Sequence, residues 1–158
     1  MTEAGTVQGA TSGVSLSRER IMQMIPHRDP FLMVDEVFDL VPAESAVGVK
    51  HVSPDEYYFR GHFPQRPIMP GVLIIETMAQ TAAIVVVYTL GAAFEGKLVY
   101  FMSVDEARFR KPVFPGDTLT VHVTKVRNRG NVWKFRGEAK VGNTLVAEAV
   151  YTAMILDE

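Results

Sequence analysis

The chain has 158 residues, of which 47% are hydrophobic and 22% charged, proportions that suit one globular domain and exclude a disordered chain. Its 16 basic and 18 acidic residues leave a formal net charge of −2, which gives no support to non-specific nucleic-acid binding. Cysteine is absent, so a disulfide scaffold, a thiolate nucleophile and a Cys-ligated zinc site are all excluded.

The first 17 residues are small and polar and lack the apolar core of a signal peptide. They read as a flexible tail before a single domain over 18–158. Residues 17–25 predict a short helix with Ser17 as its cap. Strands are expected over Phe31–Leu40 and Ala46–Val52. Next comes Gly61–Gly71, with prolines at 64, 67 and 70, which fits neither a helix nor a central strand and reads as a stiff loop. The apolar run Val72–Phe94 is long enough to span a membrane. Glu76 and Gln80 inside it, and the lack of a basic flank, favour a helix buried in a soluble fold, starting near Gly71 and ending near Gly91. A strand candidate follows at Leu98–Val104. Three more antiparallel strands come after it, with turns at Asn128–Asn131 and at Gly142–Asn143. Five or six strands around one apolar helix make an α+β fold in which a curved antiparallel sheet covers the helix.

Phosphate-loop, dinucleotide and nucleophile-elbow motifs are absent, and the four histidines show no close metal spacing. Chemistry is expected where the proline-rich loop meets the helix. His62 sits on that loop and is suited to proton exchange near neutral pH. Glu76 lies about 7–8 Å along the helix from Gly71. A carboxyl there must be paired, hydrogen-bonded or neutral, and desolvation favours its acid form. His62 read alone could simply bond a carbonyl, and Glu76 could pair with an arginine or cap the backbone. The unpaired first amides of the helix, at Gly71 and after, could polarise a substrate carbonyl. Acid, base and polarising amide together suit removal of a proton beside a carbonyl with loss of a β-hydroxyl. The apolar helix surface could accommodate an acyl chain.

Three blocks, IPHRDPFLMVDEV (25–37), GHFPQRPIMPGVLIIETMAQ (61–80) and SVDEARFRKPVFPGDTL (103–119), resemble the FabZ type of (3R)-hydroxyacyl-[acyl-carrier-protein] dehydratase. The resemblance runs from about Arg20 to about Ile155. It implies a hot-dog fold in type II fatty acid biosynthesis, with neither cofactor nor metal and a cytoplasmic location. It further implies a homodimer, often assembled as a trimer of dimers, in which His62 of one subunit faces Glu76 of the other. His62 would take the α-proton, Glu76 would assist departure of the hydroxyl, and the Gly71 amide would hold the thioester carbonyl. Val72, Phe63 and Gln80 are the further substrate-binding candidates. Arg66, Arg108, Arg110 and Lys111 are candidates for docking an acidic acyl carrier protein. Glu76 favours plain dehydration, because the related dehydratase-isomerases carry Asp there. Ala82 and Ala83 replace glycines common in relatives and bear on chain length, and Tyr100 or Phe101 could gate the tunnel. His27 and Arg28 are assigned to structure, and His51 and His122 to the polar surface. A hot-dog thioesterase and a non-catalytic acyl-binding subunit are the competing readings. The first would use Glu76 as a base for hydrolysis, and the second would need neither His62 nor Glu76.

Overall fold

The computed structural model describes residues 13–156. Seven strands form one sheet: β1 (Val14–Leu16), β2 (Glu36–Val41), β3 (Ser45–His51), β4 (Val99–Phe109), β5 (Thr118–Arg129), β6 (Val132–Val141) and β7 (Thr144–Ile155). Their order across the sheet is β1-β2-β3-β5-β6-β7-β4, and every neighbouring pair is antiparallel. Among the described residues, two α-helices, α1 (Arg18–Met24) and α2 (Gly71–Leu90), complete the main elements. The sheet wraps around α2, the hot-dog arrangement that the resemblance implies.

Alternation sets the inner face. Leu119, Val121 and Val123 on β5 are at most 1% exposed, and Trp133, Phe135 and Ala139 on β6 at most 3%. Both expected turns appear, with Gly130 and Gly142 at positive φ. α2 fills the trough. Ile74, Met78, Ile84 and Val85 on it are fully or almost fully buried. At roughly 1.5–3 kcal/mol for each such side chain, this burial outweighs the cost of a few polar groups on the same helix. Those groups are largely satisfied in place: the Thr77 and Thr81 hydroxyls donate to the carbonyls of Leu73 and Thr77, at 2.7 and 2.9 Å. Tyr151 of β7 donates to the Met78 carbonyl at 3.0 Å and ties sheet to helix. Gly137 leaves room for that approach, since a Cβ there would stand 2.6 Å from Met78 Sδ.

The ends of several elements differ from the sequence expectation. Residues 1–12 of the expected tail lie outside the described residues, but Val14–Leu16, also placed in that tail, pair with β2 as β1. The strand expected from Phe31 begins only at Glu36. The intervening backbone has other partners: the amides of Phe31 and Leu32 donate to the Arg28 carbonyl, and Gln80 takes up groups of Phe31 and Met33. β4 runs five residues beyond the expected Val104. The cap at Ser17 is as expected, its hydroxyl accepting from the Arg20 amide at 3.2 Å.

Candidate active site

Glu76 projects from the second turn of α2 with its side chain 18% exposed. Gln80, one turn on and almost wholly buried, donates from Nε2 to Glu76 Oε2 at 2.8 Å. The same amide donates to the Phe31 carbonyl at 2.9 Å, and Gln80 Oε1 accepts from the Met33 amide at 2.8 Å. Gln80 therefore fixes the carboxyl and the 31–33 segment together. Expected to contact substrate, it lines the cavity but uses both its donors on the protein. Burial raises the Glu76 pKa above its ordinary value, and the Gln80 bond opposes the rise only in part. No arginine pairs with Glu76 among the described residues. Its one ion-pair neighbour there is His27, with Nε2 3.6 Å from Oε2.

His27, which the sequence reading assigned to structure, thus stands beside the candidate acid. Arg28 fits its structural assignment, donating to the carbonyls of Met22, Ile25 and His27 at the end of α1. No periodic signal marks His27, because only the chain crossing from α1 to β2 brings it to α2. Burial first, and the Arg28 charge second, lower the His27 pKa.

His62 follows a short 3-10 turn, Tyr57–Arg60, and its amide donates to the Tyr58 carbonyl at 2.8 Å. Its Nδ1 lies 2.9 Å from the Ile68 carbonyl. A carbonyl only accepts, so Nδ1 carries the proton and Nε2 offers a lone pair. The plain loop-histidine contact and the orientation a base requires are here the same bond. Phe63 lies tilted against the imidazole, ring centres 4.2 Å apart, and is 55% exposed, at a positive φ. Among the described residues, no hydrogen bond or ion pair joins His62 to Glu76 within the chain.

Gly71 opens α2 after Pro70, so the amides of Gly71 and Val72 are helix-end donors with no carbonyl one turn back to take them up. The ring of Phe109 lies over Gly71, and a Cβ there would stand 2.7 Å from it. Close approach, rather than an unusual φ, is what requires glycine. Val72 is 71% exposed. Both residues line an open groove of about 440 Å³ with Phe109, Arg110 and Lys111. Arg110 is paired with Glu148, which Arg136 also contacts at 2.8 Å. Arg66 and Arg108 are exposed.

Two further cavities meet along α2. One is lined by His27, Glu76 and Phe101, the other by Ala82, Trp133 and Phe135, and Ala79, Ala83, Val99 and Ala153 line both. Small spaces of about 30 and 10 Å³, lined mostly by apolar residues, thus run from beside the carboxyl along the helix. Of the two gating candidates, Phe101 borders the first and Tyr100 is half-exposed outside both. His51 is exposed beside Glu36, while His122 is half-buried on β5, its pKa lowered chiefly by burial.

The chain matches the FabA-like domain family over residues 25–150. It is 65% identical over 158 residues to the 3-hydroxyacyl-[acyl-carrier-protein] dehydratase FabZ of Paramagnetospirillum magneticum, covering 100% of this chain and 98% of that one. Against the protein of the same name from Rhodospirillum rubrum, identity is 66% over 139 residues, covering 88% and 87%. Among solved structures, the dehydratase heterocomplex ApeI:P from Xenorhabdus doucetiae superposes with a TM-score of 0.74 at 17% identity, covering 87% of this chain and 91% of that one, a likeness of fold.

Proposed function

Because the chain belongs to the FabA-like family, and within it to the FabZ 3-hydroxyacyl-[acyl-carrier-protein] dehydratases, hydro-lyases of fatty acid biosynthesis, we propose that His62 and Glu76 act as base and acid in a site shared by two copies. The substrate is a (3R)-3-hydroxyacyl thioester on an acyl carrier protein. His62 Nε2 takes the proton from C2, and the electron pair forms the C2–C3 double bond. The C3–O bond breaks as Glu76 protonates the departing hydroxyl, releasing water and the trans-2-enoyl thioester. The Gly71 amide, at the helix N-terminus, polarises the thioester carbonyl. These steps use side chains and backbone alone, without cofactor or metal. The chain acts in the cytoplasm.

One observation carries the reading. Glu76 is a largely buried carboxyl without a cationic partner among the described residues, fixed by Gln80 and shifted toward its acid form. That is the state a general acid needs. A second copy supplies the base, a reading supported by the lack, among the described residues, of any hydrogen bond or ion pair between His62 and Glu76 within one chain. The surface for it is β4, which among the described residues pairs only with β7, leaving its outer edge without a strand partner there. Along β4, Tyr100, Phe101, Met102 and Val104 are 41–56% exposed, an apolar edge that invites pairing. Three such dimers can assemble further. The acyl chain enters the spaces along α2. Arg66, Arg108 and Lys111, with Arg110 beside them, form the docking surface for an acidic carrier.

Enoyl-thioester absorbance on a crotonoyl carrier protein or coenzyme A tests this. Wild type is expected to interconvert enoyl and hydroxyacyl forms, and His62→Ala and Glu76→Gln each to lose at least about a hundredfold. Full activity in either variant overturns the assignment. Release of free thiol by wild type would make the chain a thioesterase, and binding of acyl chains without turnover a non-catalytic acyl-binding subunit.

A further inference from the structure

His27 lies outside the acid and base named above, yet its imidazole faces the reacting carboxyl. Its Nε2 is 3.6 Å from Glu76 Oε2, and both side chains line one cavity. Its other nitrogen, Nδ1, is buried with no hydrogen-bond partner among the described residues. The contrast with His62 is direct, since His62 anchors its Nδ1 on a carbonyl. A buried N–H without an acceptor is costly, so the His27 proton belongs on Nε2, directed at the carboxyl. Burial and the Arg28 charge keep the ring neutral, so it donates without forming a stable ion pair.

We propose that His27 is a positioning residue for Glu76, donating from Nε2 to the carboxylate left when Glu76 has given its proton to the departing hydroxyl. The proposal rests on Glu76 being the acid. At 3.6 Å the contact is just longer than a hydrogen bond, and such contacts tighten when substrate closes a site. Gln80 is the first donor to Oε2, at 2.8 Å. A second donor stabilises the conjugate base further and makes Glu76 a stronger acid than burial alone would leave it. His27 keeps its own proton throughout: the proton that leaves Glu76 ends on the water released. From α2, His27 faces Glu76 and the uncharged Gln80. From its own segment it faces Arg28. β4 and β7 contribute Val99, Phe101 and Ala153 to the shared cavity, none of them titratable.

Steady-state dehydration of (3R)-3-hydroxybutyryl-coenzyme A, followed across pH by the gain of enoyl-thioester absorbance, tests the role in wild type, His27→Leu, His27→Gln and Glu76→Gln. His27→Leu is expected to lower kcat by about 10- to 100-fold with KM within about threefold. Its alkaline limb moves to higher pH, because Glu76 without the donor is a weaker acid. His27→Gln restores an N–H donor and recovers most of the kcat and the wild-type limb. Should His27→Leu fail to fold, His27→Asn, polar but shorter, carries the same expectation as His27→Leu. Unchanged kcat and limb in His27→Leu, with Glu76→Gln inactive, overturn this proposal alone. Equal losses in the Leu and Gln variants with an unshifted limb also overturn it, leaving His27 as support for the fold. An active Glu76→Gln removes the reading on which the proposal rests.

Discussion

At the scale of single residues, a carboxyl in apolar surroundings weakens the folded state whenever it is ionised. Burial raises the folded pKa of Glu76 above its ordinary 4.5, so the folded chain holds that proton more tightly than the unfolded one. The associated stability is fully present below the unfolded pKa and is lost as pH rises through the folded pKa. Glu76→Gln, which cannot ionise, is therefore expected to melt higher than wild type at neutral pH. The gap should close as pH falls from the raised value to the ordinary one, which thermal melts over a pH series will show. Identical melting curves at every pH would mean that Gln80 and His27 fully compensate the charge. His62 and Glu76 were legible in the sequence because each breaks a local pattern, one among prolines and the other within an apolar run. Gln80 also stands out as a polar residue in that run, but the partners it holds do not, and His27 breaks no pattern. The bonds of Gln80 reach residues 47 and 49 positions away, and such long-range partners leave no periodic trace.

At the scale of elements, α2 and the sheet form one device: strands β5 to β7 supply the trough, and the small residues of α2 leave the small spaces along it. Ala83 borders both of those spaces. Ala83→Met is expected to keep activity on short acyl thioesters and lose about tenfold or more on long ones. Comparing kcat/KM for crotonoyl and longer enoyl substrates checks this, and a uniform loss would place the chain elsewhere. The helix and the last three strands were legible, since each has a strong period and glycine-marked turns. β1 was not, having only three residues. The late start of β2 was hidden because a side chain from a distant helix, not a neighbouring strand, satisfies the backbone before it. β4 was read short because almost all of it is exposed, so alternation fades along it.

For the whole molecule, the open edge of β4 is the feature that one chain leaves unfinished. Met102→Lys together with Val104→Lys is expected to give a monomer by sedimentation, still folded and at least about a hundredfold less active. Melting of wild type should rise with protein concentration, and that of the double variant should not. A fully active monomer would show that one chain suffices. The proposed crossing of the site between copies has no signature in residue spacing, since spacing within one chain says nothing of which copy a side chain meets. Only the family resemblance implied it.

The burial of α2 also has a history within each chain's synthesis. An 18-residue window of this helix has a mean hydropathy of 1.7, enough by composition for a membrane span, and 72% of it is hidden in the finished fold. Much of its cover, from β5 to β7, lies later in the chain, and Ile155 follows Leu90 by 65 residues. At roughly 5–20 residues per second, the helix emerges from the ribosome about 3–13 s before that cover is complete. During that interval it presents the surface of a membrane segment to chaperones and the insertion machinery alike. The charge of Glu76 opposes insertion. The same carboxyl that strains the finished fold thus helps keep the unfinished chain in water.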